Sequence, residues 1–120
     1  MTNILVIDDN ILITTMLEKE LTSDNCRVRV AHSGQAGLKL LVEQTFDVVI
    51  TDIIMPESDG LEVIMAIKEM QPCPKVIAMT GGTQFLSREY LSEMARALRV
   101  QHVLFKPFSI DELMEVVFEG

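Results

Sequence analysis

Four short apolar runs of this sequence each end in a side chain that can take part in chemistry. Together these side chains comprise three carboxylates, one hydroxyl and one amine, at Asp8, Asp9, Asp52, Thr80 and Lys106. Carboxylate oxygens are the ligands that Mg²⁺ prefers, and lysine supplies a compact positive charge on a long stem. With a metal ion, such groups can neutralise the oxygens of a phosphoryl group in transfer. The pattern predicts a phosphoryl-transfer site in which Asp52 itself accepts the group as an acyl phosphate.

Each of these residues also has an ordinary structural explanation when it is taken alone. An aspartate pair after a strand often caps the next helix, and a threonine beside two glycines is most often part of a turn. Asp52 could be a turn residue, and a lysine before a proline, such as Lys106, is usually solvated. Charge that serves only solubility has no reason to choose the ends of four apolar runs, so the set favours a common site.

The run that leads to Asp52 is the most informative strand of the chain. Residues 48–50 are β-branched without a polar break, and Pro56 prevents the strand from continuing. Such a run is typical of a central strand of a parallel sheet, buried on both faces. Residues 26–31 instead alternate basic with apolar side chains, which predicts a half-exposed strand at a sheet edge.

Helical spacing separates the apolar runs. Asp9 or Asn10 can cap the first helix, and the second is expected to turn Ala36 and two leucines inward. Ser109 and Glu112 have the spacing of a capping box for the last helix. The expected helices cover residues 10–21, 33–44, 59–70, 87–98 and 109 to near the end of the chain.

Strands that alternate with helices predict an α/β fold: one flavodoxin-like domain over residues 1–120, with a doubly wound five-stranded parallel sheet of order 2-1-3-4-5 and five helices. In this order the chain reverses direction between the first and third strands, so Asp8, Asp9 and Asp52 meet at one crevice. Like charges repel by about 4 kcal/mol per pair at 4 Å and an effective dielectric constant near 20. A divalent cation removes that repulsion, and the oxygen ligands favour Mg²⁺.

The acidic composition excludes several classes of partner. With a net charge of −8 and no cluster of Lys and Arg, the chain is not expected to bind nucleic acid or an anionic membrane surface. Cys26 and Cys73 match no metal-binding spacing and are expected to be reduced thiols. The first residues have no basic leader, and no apolar run approaches the roughly 18 residues of a membrane span. We therefore expect a cytoplasmic location.

The order of the motifs is similar to that of a known family, the receiver domain of two-component response regulators. The matching motifs are Asp8-Asp9, Asp52 with Met55-Pro56 and Gly60 after it, Thr80, and Lys106-Pro107. They extend over essentially the whole chain and are specific as a set, although each is weak alone. The resemblance implies a phosphoprotein that acts with Mg²⁺ in signal transduction or a phosphorelay.

The resemblance also implies a role for each matching acidic residue. Asp52 is similar to the phosphoacceptor, which takes a phosphoryl group from a phosphohistidine on a sensor histidine kinase or a histidine phosphotransfer protein. Asp9 resembles the direct Mg²⁺ ligand, and Asp8 resembles its neighbour, which acts largely through water. Asp52 and the backbone carbonyl of Ile54 complete the implied metal ligands.

Two further residues and the downstream partners follow from the same resemblance. Lys106 resembles the lysine that pairs with the phosphoryl group, and Thr80 resembles the hydroxyl whose movement reports phosphorylation. The peptide bond of Lys106-Pro107 is commonly cis in the family, a state that proline makes accessible. The resemblance implies that the resulting conformational shift controls an output domain or a downstream protein. It leaves undecided whether the chain forms a homodimer on phosphorylation.

The sequence departs from the family three residues before Lys106, where an aromatic switch residue is often found. That position is Val103, which has no ring that could swing inward when Thr80 moves. We therefore expect the signal to pass through the Gly81-Gly82 loop and the helix after it.

The positions that could orient an attacking water are also apolar here. Ile54 lies two residues after Asp52 and Gly82 two residues after Thr80, so we expect the aspartyl phosphate to hydrolyse slowly. A phosphatase with an aspartyl intermediate typically has a second aspartate two residues after the nucleophile. Here that position is Ile54, and its apolar side chain weighs against turnover. A constitutive docking module on the same fold is disfavoured, because every member of the acidic, threonine and lysine set is present. We expect a regulator, with at most its own phosphotransfer and slow autodephosphorylation.

Overall fold

The computed structural model describes residues 1–53, 60–81 and 102–118, together with residues 89, 93, 96, 97, 99 and 100. Its strands are β1 (Thr2–Ile7), β2 (Cys26–Ala31), β3 (Val48–Asp52), β4 (Lys75–Thr80) and β5 (His102–Phe105). Its helices are α1 (Ile11–Leu21), α2 (Gly34–Glu43), α3 (Gly60–Lys68) and α4 (Ile110–Phe118). Most of the helix expected over 87–98 lies outside the described residues. Within that range Glu89, Glu93, Arg96 and Ala97 are described, and they are helical.

The five strands form one parallel sheet in the order β2-β1-β3-β4-β5, as the sequence predicted. All five residues of β3 are buried, which fits a central strand covered on both faces. In β2 the two arginines are exposed, as expected for an edge strand. The doubly wound order places the carboxyl ends of β1 and β3 side by side at the switch point of the sheet.

The core lies in two clusters, one on each face of the sheet. On one face Leu5, Ile7 and Val49 pack with residues of α3, and on the other Ile4 and Ile50 pack with residues of α1 and α4. Each fully buried aliphatic side chain stabilises the fold by roughly 1.5–3 kcal/mol relative to exposure. Two such clusters hold the strand ends in fixed positions.

Helix α2 meets the sheet through glycine rather than through the expected alanine. Ala36 is exposed, so its predicted inward position was wrong, and Gly37 is buried instead. A Cβ atom added at Gly37 would overlap the Cδ1 of Ile7, so a side chain there would require the buried Ile7 side chain to move. Glycine at the inner position allows the close approach of helix and strand without that movement.

Helices α1 and α4 begin at caps that the sequence predicted. The Asn10 side chain accepts hydrogen bonds from the amides of Leu12 and Ile13 at 3.0 and 3.4 Å. Ser109 and Glu112 form the predicted reciprocal capping box, with bonds of 3.0 and 3.3 Å. Across the described part of the chain, each helix is too short or too polar to pass through a bilayer.

Candidate functional site

The carboxyl edge of the sheet brings together three residues from distant parts of the chain. The Nζ atom of Lys106, just after β5, lies 2.7 Å from Oδ2 of Asp8 and 3.2 Å from Oδ2 of Asp52. Asp8 follows β1 and Asp52 ends β3, so one ammonium group bridges two strand ends. The expected reach of Lys106 to Asp52 is present. Its shorter bond to Asp8 was not foreseen, because no sequence spacing indicates it.

The acidic residues form one cluster. Asp8 and Asp52 are buried and Asp9 is exposed, and one carboxylate oxygen from each lies within 4.8 Å of the others. At such separations like charges repel by several kcal/mol unless a cation offsets them, and Lys106 supplies only one positive charge. The three oxygen donors fit a hard divalent cation such as Mg²⁺. This arrangement can therefore hold a metal ion beside the carboxylate of Asp52.

Asp8 is held from both sides. Its Oδ1 accepts the backbone N–H of Asn10 at 2.9 Å, while its Oδ2 accepts from Lys106. Asn10 also caps α1, so the helix start and the buried carboxylate have a fixed relative position. Such orientation of a ligand group by a neighbouring donor is common at metal sites.

Lys106 is positively charged at neutral pH despite its partial burial. Burial lowers the pKa of Lys106, but the hydrogen bond that Lys106 donates to Asp8 and the negative charges of Asp52 and Asp8 together raise that pKa above its ordinary value. The lysine stem lies over Gly81, where an added Cβ would come within 3.2 Å of the lysine Cβ and Cδ atoms. The backbone N–H of Lys106 donates to the carbonyl of Thr80 at 2.8 Å. These contacts aim the ammonium group at the acidic cluster.

Thr80 ends β4 beside this cluster with its side chain fully buried. Its Oγ1 has no hydrogen-bond partner among the residues that the structure describes. A buried hydroxyl without a partner costs roughly 1–3 kcal/mol, so natural proteins rarely leave one without a reason. The hydroxyl can donate to an anionic oxygen brought to the carboxyl edge of the sheet.

Gly60, the first residue of α3, lies against the end of β3. Its backbone N–H donates to the carbonyl of Ile53 at 3.0 Å, and an added Cβ would overlap the carbonyl oxygen of Asp52. Only glycine allows this approach to the end of β3. The predicted carbonyl ligand of Ile54 and the neighbouring Met55-Pro56 lie outside the described residues.

The remaining sequence predictions have mixed outcomes. The Lys106-Pro107 peptide bond is cis, as the resemblance implied. Val103 is partly buried and packs against the core face that contains Leu5 and Ile7, with no ring to move. Gly82 and most of the helix expected after it lie outside the described residues, so the expected signalling route stays a prediction.

Comparison with known proteins gives a consistent result. The profile of the response regulator receiver domain matches residues 4–118. The chain is 33% identical over 113 residues to response regulator ArlR of Staphylococcus haemolyticus, covering 94% of this chain and 49% of ArlR. It is 31% identical over 114 residues to ArlR of Staphylococcus aureus strain Mu50, covering 95% and 50%. The chain thus spans about half the length of the curated relatives it matches.

Solved structures agree. A CheY-like receiver domain protein of Methanospirillum hungatei superposes with a TM-score of 0.87 at 24% identity, over 99% of this chain and 92% of that one, which supports the fold. TrrA of Thermotoga maritima, solved in complex with Mg(2+)-BeF, has a TM-score of 0.80 at 33% identity, over 98% and 96%. Fold and site together define an α/β signalling domain. The chain belongs to the response regulator receiver domain family, the regulatory module of two-component systems.

Proposed function

We propose that residues 1–120 are one receiver domain and that Asp52 accepts a phosphoryl group from a phosphohistidine. The donor is a sensor histidine kinase or a histidine phosphotransfer protein. The observation that carries this proposal is the position of the Asp52 carboxylate, which lies 3.2 Å from Nζ of Lys106 and inside the cluster with Asp8 and Asp9. A carboxylate in this setting can act as a nucleophile toward phosphorus because its charge is screened by the lysine.

The residues of the chain have separate roles in the transfer. A carboxylate oxygen of Asp52 forms the bond to phosphorus while the bond from phosphorus to the donor imidazole breaks, and the imidazole keeps that electron pair. Lys106 balances charge on the phosphoryl oxygens, and the Thr80 hydroxyl donates to one of them. Asp8, Asp9, Asp52 and the carbonyl of Ile54 would hold Mg²⁺. When bound, Mg²⁺ neutralises charge on the carboxylates and on the phosphoryl oxygens.

The modification acts by changing the balance between conformations that already exist. The Thr80 hydroxyl, drawn to a phosphoryl oxygen, moves the end of β4, and the Gly81-Gly82 loop carries the change onward. An output domain or a downstream protein reads the altered surface in the cytoplasm, and a homodimer is one form that the output can take. The chain turns over no substrate beyond its own phosphate, which leaves slowly because Ile54 and Gly82 offer no polar side chain to water.

Incubation with acetyl phosphate and Mg²⁺, followed by intact mass measurement, tests the proposal. We expect one phosphoryl group on the unaltered chain and none on Asp52→Asn. Asp47→Asn is the matched control, because Asp47 lies just before the other end of the same strand. Incorporation of a phosphoryl group into Asp52→Asn, or an equal loss of incorporation in both variants, would contradict the assignment of Asp52 as the phosphoacceptor. Rapid decay of the phosphorylated form, at the rate of a free acyl phosphate, would contradict the expected slow hydrolysis.

A further inference from the structure

Strand β2 forms one edge of the sheet and pairs with β1 alone among the described strands. The N–H of Thr2 donates to the carbonyl of Asn25, and the N–H of Asp8 donates to the carbonyl of Ala31. In a parallel ladder the peptide groups of alternate residues face the same neighbour. The backbone groups of residues 27, 29 and 31 therefore face β1, and those of Cys26, Val28 and Val30 face outward.

Only part of this outward row has partners within the chain. The backbone groups of Cys26 exchange two hydrogen bonds with Ser23, at 3.1 and 3.3 Å. For Val28 and Val30 the described part of the chain offers no such pairing. The outward N–H and C=O groups of these two valines form a template that an additional strand can extend.

Two grooves flank this row, one on each face of the sheet. The groove toward α1, of about 580 Å³, is lined by Glu18, Lys19 and Val28 among others. The groove toward α2, of about 440 Å³, is lined by Arg29, Lys39 and other residues. Successive side chains of a strand point to opposite faces of a sheet, so a strand added to β2 would place its side chains alternately over the two grooves.

The charge of this edge is opposite to that of the molecule. Lys19, Lys39 and the two arginines of β2 lie on or beside this edge, against the acidic Glu18 and Glu43, whereas the whole chain has a net charge of −8. On β2 itself the exposed Arg27 and Arg29 point to the α2 side, and the half-buried Val28 and Val30 point to the α1 side. A complementary strand has acidic residues on one face and small apolar residues on the other.

A second copy of this chain is a poor occupant of the edge. Antiparallel pairing of two β2 strands about a twofold axis would place arginine on the same face as arginine. Like charges in neighbouring positions across two strands are destabilising. The edge therefore disfavours self-association and favours a partner of opposite charge.

We propose that the free edge of β2 binds an extended segment of a partner protein, with acidic and small apolar residues in alternation, as a sixth strand of the sheet. The backbone of the segment pairs with Val28 and Val30, and its acidic side chains pair with Arg27 and Arg29. Its apolar side chains cover the valines. This interaction does not depend on the modification of Asp52, because no residue of the acidic cluster takes part.

The test uses an eight-residue peptide of alternating Glu and Val with blocked ends, and a peptide of the same composition with four Glu followed by four Val. NMR titration of the chain is expected to shift and protect the Val28 and Val30 amides with the alternating peptide only. In Arg27→Glu/Arg29→Glu we expect about tenfold weaker binding, because each exposed charge pair becomes a repulsion. Arg96→Glu/Arg99→Glu makes the same change in net charge at exposed sites elsewhere and should bind as the unaltered chain does.

Several results would overturn the proposal. They are equal binding of both peptides, no effect on the Val28 and Val30 amides, no binding at millimolar peptide, and equal weakening in the two double variants. Failure to bind would mean that the arginines only keep the edge from pairing with other chains. A dimer of the unaltered chain in sedimentation, lost in Arg27→Glu/Arg29→Glu, would replace the partner segment with a second copy. Phosphorylation by acetyl phosphate, measured on the same variants, is expected to be unchanged, which separates this test from that of Asp52.

Discussion

The two ends of β3 each have an aspartate, and the surroundings of the two differ. Asp47, just before the strand, accepts the backbone N–H of Asn3 at 2.7 Å and returns a backbone bond to Asn3 at 2.8 Å. Asp52, at the other end, lies among two more carboxylates and one ammonium group. The carboxylate of Asp47 is satisfied by the fold itself, whereas that of Asp52 shares a crevice with like charges. An acidic residue is a functional candidate when its neighbours repel it and its position is nevertheless fixed.

The largest expected difference between the two ends of the sheet is in the effect of replacing a lysine. Lys106→Met removes the cation from the acidic cluster, and we expect phosphorylation by acetyl phosphate to slow by about 10²-fold or more. Lys75→Met is the matched control at the start of β4, where the Lys75 ammonium donates to the carbonyl of Val117 at 3.3 Å. Its phosphorylation rate should be unchanged. Initial rates of mass increase measure both, and equal rates for the two variants would deny Lys106 its role.

The stabilisation of the chain by Mg²⁺ should depend on the acidic cluster at one end of β3 and not on Asp47 at the other end. Ligand that binds only the folded chain at a hundred times its dissociation constant stabilises it by about 2.7 kcal/mol. We expect Mg²⁺ to raise the free energy of unfolding of the unaltered chain and of Asp47→Asn by this order. In Asp9→Asn most of the gain should disappear. Urea titrations with Mg²⁺ or with EDTA measure the difference, and a gain that survives in Asp9→Asn would place the metal elsewhere.

Without metal, the same two substitutions should change stability in opposite directions. Asp9→Asn removes one like charge from the cluster and should raise the free energy of unfolding by about 1 kcal/mol. Asp47→Asn weakens a charge-assisted bond to the amide of Asn3 and should lower it by about 1 kcal/mol. Urea titrations in EDTA provide the measurement. A loss of stability in Asp9→Asn would show that its carboxylate is satisfied as that of Asp47 is.

The smallest effect concerns the thiols at the amino end of the sheet. Burial, and then the negative charge of Asp47, raise the pKa of the Cys26 thiol above its usual value of 9.0. Cys26 is buried and Cys73 exposed, so iodoacetamide should alkylate Cys73 first at pH 8. The Cys26 thiol has a higher pKa in the folded chain than in the unfolded chain. Its contribution to the free energy of unfolding is therefore present below pH 9 and is lost as the pH rises further. Equal alkylation rates at the two thiols would contradict the burial of Cys26.

Much of this site could be predicted because it depends on strand ends. The unbroken apolar residues before Asp52 identified the central strand, and the alternation in residues 26–31 identified the edge. The sheet order then followed from general rules of α/β folds, and it placed the acidic residues together. Asn10 and the capping box at Ser109 were recognisable because caps are local in sequence.

Other features depend on distances that no periodicity contains. The 2.7 Å contact of Lys106 with Asp8 requires the lysine stem to turn over Gly81, which the sequence does not indicate. Helical spacing assigned Ala36 to the inner face of α2, whereas Gly37 occupies it. The spacing does not show how closely that helix approaches Ile7. The grooves beside β2 likewise arise from where α1 and α2 leave the edge uncovered.

The proposed hydrogen bond from the Thr80 hydroxyl to a phosphoryl oxygen has a consequence for how strongly the domain can respond. A polar group that is poorly satisfied before modification and hydrogen-bonded after it adds the free energy of one bond to the difference between the two forms. If that bond is worth about 1 kcal/mol, the ratio of active to inactive molecules changes about fivefold from this atom alone. A side chain of the same shape without the oxygen, as in Thr80→Val, would leave the receiver modifiable and reduce its response.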